Sequence, residues 1–172
     1  MRSVALRLKA VSDAVNDLAV LACVGFFAAM LGTVVIQVVA RYVLSSPPFW
    51  TEELARWCMI WGGLLGASVA FHEGADPKLY QPPLKRTAVR AGQGIARLVG
   101  AWIFLGTVLW FSGPYIQRQA QQVSEGLGIS PMWVALAVPA AAVLICFHAL
   151  VLAIVQPFLP PEGAHDPQSD LH

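Results

Sequence analysis

Glu52, Glu53 and Arg56, in the stretch "SPPFWTEELARWCMIWGGLLGASVAF", are the residues of this chain most open to chemistry. Acids and a base within one helical turn can move a proton, hold a cation or pair with each other. Here they head a stretch that is otherwise as apolar as hydrocarbon, with no Asp, Glu, Lys or Arg from Trp57 to Phe71. Two histidines are the next candidates, His72 at the end of that stretch and His148 in a later apolar run. Facing histidines at equal depth could ligate a haem. Counted along their helices, His148 falls roughly two turns outward of His72, so a hydrogen-bonded core role is expected for it. Cys23, Cys58 and Cys146 form no CxxC pair and sit in apolar runs, where thiols act as small packing groups. No disulfide, metal or cofactor is expected.

The wider sequence carries no P-loop, GxSxG or HExxH, and Gly92-Gln93-Gly94 lacks the strand and spacing of a dinucleotide fingerprint. No carboxylate lies deep in an apolar run, where an ion or proton pathway normally shows one. The chain is therefore read as neither an enzyme nor a self-contained transporter. A net charge of +1 also argues against nucleic acid as a partner.

The elements that must position these residues follow from where charge is missing. Charged residues make up 12% of the 172 residues, about half of the roughly 25% usual in soluble domains, and mean hydropathy is +0.63. Four windows lack them altogether: Leu18 to Ala40, Trp57 to Phe71, Leu98 to Gln117 and Leu127 to Pro161. A helix crossing hydrocarbon needs roughly 20 apolar residues. The second window reaches that length if its first turn is Thr51 to Arg56. The reading is an all-α integral membrane protein with four spans, about 17–41, 51–72, 97–117 and 131–155. Residues 1–156 form the membrane domain, and the Pro-, Gly- and Asp-bearing segment 157–172 is expected to be a mobile tail.

Eight basic residues lie before span one or between spans two and three: Arg2, Arg7, Lys9, Lys78, Lys85, Arg86, Arg90 and Arg97. The opposite side holds three, Arg41, Arg56 and Arg118. The positive-inside rule then puts both termini and the middle loop in the cytoplasm. Tyr42, Trp50, Trp57, Trp110, Tyr115 and Trp133 cluster toward the outward ends, as interface anchors should, and Trp61 is counted with these anchors. Val4, Leu8, Val11, Val15 and Leu18 recur at helical spacing ahead of span one, which predicts an amphipathic helix on the inner surface running into the span. Leu84 to Arg97 is a weaker second case, because of Gly92 and Gly94.

Geometry then bears on the charged turn. Pro47 and Pro48 interrupt any helix through the loop, which leaves Thr51 as the expected N-cap. Glu52 and Glu53 enjoy the helix dipole, and Arg56 is four residues from Glu52, within pairing reach. At about 100° per residue, Glu52 and Arg56 share a face with Met59, Gly63, Gly66 and Ala70, while Trp50, Trp57 and Trp61 fall opposite, toward lipid. One reading is good capping with internal packing. The other is a docking seam for a second membrane protein, since small residues let helices approach closely.

"QVVARYVLSSPPFWTEELARWCMIWGGLLGASVAF", Gln37 to Phe71, resembles the small membrane subunit of TRAP transporters (tripartite ATP-independent periplasmic transporters, DctQ-like). Gln37, Arg41, Tyr42, Trp50, Glu52, Glu53, Arg56, Trp61 and Gly66 match that family's pattern, and "LGISPMWVALAVP" resembles its fourth span, with Trp133 and Pro139 in place. The family often has a Gly-x-His sequence after span two; this chain has "EGADPKL", with Asp76 at the histidine's position. The resemblance implies a subunit of the bacterial inner membrane that braces a large membrane subunit. That partner takes up an organic acid with sodium, after a periplasmic substrate-binding protein has captured it. It also implies that Gln37, Arg41, Glu52, Glu53 and Arg56 belong to the partner interface. A four-span subunit of a tripartite tricarboxylate transporter shares the layout without the Trp50–Arg56 motif. An oxidoreductase anchor would need level histidines, and a small multidrug exporter an acid within a span.

Overall fold

The computed structural model describes residues 2–46, 48–73 and 87–155. The segment 157–172, expected as a tail, lies outside them, as does Asp76. Among the described residues five helices follow in order: α1 Arg2–Tyr42, α2 Phe49–Glu73, α3 Thr87–Ala120, the single turn α4 Met132–Ala135, and α5 Ala137–Val155. Four helical stretches are long and apolar enough to cross a membrane, with α4 and α5 together forming the last. Among the described residues there is no strand. The expected all-helical, four-span architecture is the one observed.

Helix α1 runs unbroken from the N-terminal segment into span one, as its spacing predicts, and α3 starts earlier than the sequence reading has it. The N-terminal segment and span one form one helix of 41 residues, about 62 Å at 1.5 Å per residue. No Pro or Gly stands between Arg2 and Val24 to divide it. The first turns also bury their polar side, with Ser12, Asn16 and Ala19 inward while Val11 and Leu18 stay exposed. Contacts of Ser12 with His148 and of Asp13 with His72 hold this segment against α5 and α2. Likewise α3 begins at Thr87, so the weak second amphipathic segment continues into the third span rather than lying apart from it.

The same inversion runs through the whole bundle. Ala, Cys, Ser, Thr, Asn and His fill the interior, whereas Leu21, Leu31, Ile103, Phe104, Trp110 and Phe111 point outward. In water such a surface would be a severe liability. In lipid it is the expected one, because tails are as apolar as Leu and helices pair through small residues.

The most extensive pairing is α1 against α2, antiparallel, with α5 packing on both. Gly62 lets α1 come close: a methyl group there would lie 3.2–3.3 Å from the Phe27 ring. The Cys23 thiol donates to the Gly62 carbonyl at 3.2 Å, and the Phe26 ring stacks on Trp61 with centroids 5.7 Å apart. Helix α3 leans on α5 and α4 and has no buried residue among those described. A break at Leu136 separates α4 from α5, with Pro139 in the first turn of α5. Pro139 has no N–H to offer the Ala135 carbonyl, and the helix ladder is interrupted beside that residue, as the lost hydrogen bond of this proline predicts.

Candidate functional site

At the head of α2 the two glutamates turn opposite ways. Glu52 is 71% exposed and meets Arg56, 63% exposed, at 3.3 Å, as the spacing predicts. Glu53 turns inward across the bundle. Its Oε2 accepts the backbone N–H of Gly126 at 2.9 Å and of Leu127 at 3.3 Å. Those amides belong to the connection between α3 and α4, which is not helical and has no ladder to satisfy it. In a membrane protein such backbone must be paired within the protein. A carboxylate on the neighbouring helix does it.

Further bonds knot the same connection. The Ser124 hydroxyl accepts from Leu127 N–H at 3.1 Å, the Ser124 carbonyl accepts from Gly128 N–H, and the Ser130 hydroxyl donates to Gln119 at 2.9 Å. Gly128 takes φ +68°, the left-handed region that favours glycine. Gly126 is required for a different reason: a Cβ on it would lie 2.6 Å from Glu53 Oε2. Thr51 is fully buried, but not as the N-cap. The helix starts at Phe49, and the Thr51 hydroxyl donates back to the Pro48 carbonyl at 2.8 Å. Phe49, Glu52, Glu53, Arg56, Trp57, Glu125 and Gly126 line an open groove of about 590 Å³ here.

Down the same helix the proposed seam divides. Met59 and Gly63 continue the exposed line of Glu52 and Arg56, and nothing lies within 4 Å of a Cβ on Gly63. Gly66 and Ala70 are half-buried, and a Cβ on Gly66 would meet Cys23 Sγ at 3.4 Å. Gln37 is half-buried and Arg41 exposed at the far end of α1. Tyr42, Trp50 and Trp133 are exposed and Trp57 half-buried. Trp61 is half-buried: the Phe26 ring stacks on it, and its indole N–H donates to the Trp133 carbonyl at 3.2 Å. An indole N–H wants a partner away from water, and one stands next to the α4–α5 break.

The second polar cluster overturns the depth assigned to the histidines. His72 and His148 touch, with ring centroids 4.6 Å apart and planes at 62°. The cause is the start of span four. Gly126 is level with Glu53, but Trp133 is level with Trp61, eight residues or about 12 Å further along α2. The connection dips into the bundle before α4 begins, and His148 is carried down to His72. Level histidines alone do not make a haem site. His148 Nδ1 is engaged with the Ser12 hydroxyl at 2.9 Å, and His72 Nε2 faces Asp13 at 3.3 Å. Among the described residues no group of His, Cys, Asp or Glu is placed to hold a metal ion.

Ser12, Asp13, Asn16 and Ser68 belong to this cluster, and the sequence reading did not single them out. Their signal was available. Ser12 and Asn16, like Ser68 and His72, are polar residues four apart beside apolar runs, and so share a face.

Comparison with known proteins bears on both clusters. The chain is 24% identical over 147 residues to the sialic acid TRAP transporter small permease protein SiaQ of Vibrio cholerae, covering 84% of each chain. It is 29% identical over 125 residues to the sialic acid TRAP transporter permease protein SiaT of Haemophilus influenzae, which spans 71% of this chain but 20% of that longer one. The family of the tripartite ATP-independent periplasmic transporters, DctQ component, matches residues 30–158, a stretch that contains the glutamate turn, the dipping connection and both histidines. With its four apolar helices and a match over well more than half its length, this multi-pass membrane chain belongs to the DctQ family of TRAP transporter components.

Proposed function

We propose that the chain is the small permease subunit of a TRAP transporter in a bacterial inner membrane. It braces a large membrane subunit, which takes up an organic acid with sodium from a periplasmic substrate-binding protein. The observation that carries this reading is the exposed line Glu52, Arg56, Met59 and Gly63 on a helix that packs on α1 and α5 through another face. An ion pair at 63–71% side-chain exposure stabilises its own subunit by at most about 1 kcal/mol. Its purpose is better sought in a partner. The match to one fifth of the longer SiaT chain supports that partner: there a segment like this one is covalently joined to the rest of a permease.

Orientation belongs to the same proposal, with both termini and residues 73–97 cytoplasmic by the eight-to-three bias of Lys and Arg. The groove at Glu52 then faces the periplasm, where a binding protein would arrive.

The test is co-purification of the large subunit together with uptake by cells. Glu52→Ala and Arg56→Ala should leave the small subunit inserted and stable yet weaken its hold on the large one. Removing one partner of a desolvated pair costs about 2–5 kcal/mol. Gly63→Leu should do the same by steric blockage, because its Cβ position is open in the isolated subunit. Wild-type co-purification and uptake by Glu52→Ala and Gly63→Leu together would sink the docking seam.

A further inference from the structure

The opposite end of the bundle holds a cavity that the bracing role does not use. It occupies about 450 Å³ between the first turns of α1 and the last turns of α2 and α5. Among the described residues, Asp13, Asp17 and Glu73 line it against one lysine, Lys9. Val151, Leu152 and Val155 form an apolar wall. Asn16 and His148, 6% and 2% exposed, also line it, and each keeps a buried polar atom without a partner: Asn16 Oδ1 and His148 Nε2. His72 Nδ1 is in the same condition. Buried polar atoms are rarely left so.

We infer that this cavity binds the primary ammonium headgroup of an aminophospholipid, of the phosphatidylethanolamine class. Charge selects a cation, since three carboxylates outnumber one lysine among the described lining residues. The unpaired Asn16 oxygen, and a histidine nitrogen in its acceptor tautomer, call for a cation that donates hydrogen bonds. A primary ammonium has three N–H donors, whereas the trimethylated ammonium of phosphatidylcholine has none. Phosphatidylglycerol brings a net negative charge to the carboxylates. Lys9 supplies the counter-charge for the phosphate, and the apolar wall suits the start of the acyl chains rather than a soluble amine. Depth agrees as well. The charge-free window of α1 begins at Leu18, so Asp13 to Asp17 stand within about 8 Å of the hydrocarbon edge, at headgroup level. The inference needs the chain to be in a membrane but is independent of its orientation and of the docking seam.

The experiment uses the full-length subunit in mild detergent, offered equal amounts of phosphatidylethanolamine, phosphatidylcholine and phosphatidylglycerol, with retained lipid read by native mass spectrometry. Phosphatidylethanolamine should be retained about tenfold over each of the others, the equivalent of one charge-assisted hydrogen bond. Asp13→Asn and Glu73→Gln should each bring the ratio toward parity, while Arg118→Gln, on an exposed residue at the other end, should not. Glu73 is exposed, so its variant keeps the test valid if Asp13→Asn perturbs folding. Equal retention of the three lipids, or a wild-type ratio in Glu73→Gln, overturns the site. Displacement of the lipid by free ethanolamine at matched concentration assigns the cavity to a soluble amine and overturns the lipid reading. Retention against ethanolamine supports it.

Discussion

Glu52 and Glu53 are adjacent and chemically identical, yet their replacement should have opposite consequences. Glu53→Ala removes the acceptor of two backbone amides. Leu127 N–H keeps the Ser124 hydroxyl at 3.1 Å, so only Gly126 N–H is stranded. A bond to a charged group contributes about 1.5–3 kcal/mol, and an orphaned buried donor costs about 1–3 kcal/mol. The site is partly buried, so Glu53→Ala should destabilise the isolated subunit by about 2–4 kcal/mol. Glu53→Gln keeps one neutral acceptor and should cost about half that. Glu52→Ala loses an exposed pair, below about 1 kcal/mol. Gly126→Ala is the reciprocal perturbation. Its Cβ would sit 2.6 Å from Glu53 Oε2, so the carboxylate must withdraw and the same bonds break. The double variant should then cost clearly less than the two singles added, because the second change has no bond left to break. The assay is thermal unfolding in detergent, followed by a thiol-reactive dye that reports exposure of Cys58 and Cys146, both buried in the fold. Equal midpoints for the Glu52 and Glu53 variants, or strict additivity of Glu53→Ala with Gly126→Ala, would refute the reasoning.

Three further outcomes are expected. In a background lacking the native cysteines, Lys85→Cys should resist a membrane-impermeant thiol reagent in intact cells, while Gln122→Cys, exposed in the α3–α4 connection, should label; the reverse pattern would invert the topology. Reconstituted alone under a sodium gradient, the subunit should move no organic acid, and uptake by the isolated chain would contradict the bracing role. Gly62→Val should push the Phe27 ring aside and destabilise the α1–α2 pair by about 1–3 kcal/mol, whereas Gly63→Val should be nearly silent in the same unfolding assay.

Span number and helical class were legible because lipid enforces them. Charge-free windows of the right length have few folded alternatives. The Glu52–Arg56 pair was legible for a similar reason, since a four-residue spacing fixes it within one helix. What could not be read was anything that depended on how two helices are offset along their axes. Gly62 and Gly63 are neighbours in the chain, but the approach of Phe27 makes one structural and leaves the other free. Periodicity placed Trp61 opposite Glu52, but it assigns a face without naming the neighbours met there, Phe26 and the Trp133 carbonyl. Glu53 was grouped with Glu52 because its partners, at Gly126 and Leu127, are more than seventy residues away.

The depth of the histidines follows from the same gap in the one-dimensional view, and it links the two ends of the molecule. Counting from Pro131 at the membrane surface leaves His148 two turns short of His72. The count fails because the chain enters the bundle before it becomes helical. Glu53 makes that entry possible by accepting amides that the connection cannot pair itself. Ser124 and Ser130 close its remaining turns. Trp61 then holds the start of α4 through the Trp133 carbonyl, and α5 delivers His148 to Ser12 and His72 at the other end. A carboxylate at one rim therefore sets the register of a polar cluster some fifteen to twenty residues along the neighbouring helices. Weakening it should loosen both ends, so Glu53→Ala should also raise the accessibility of a cysteine placed at Asn16. Glu52→Ala, which touches nothing on α4 or α5, should leave that probe as protected as in the wild type.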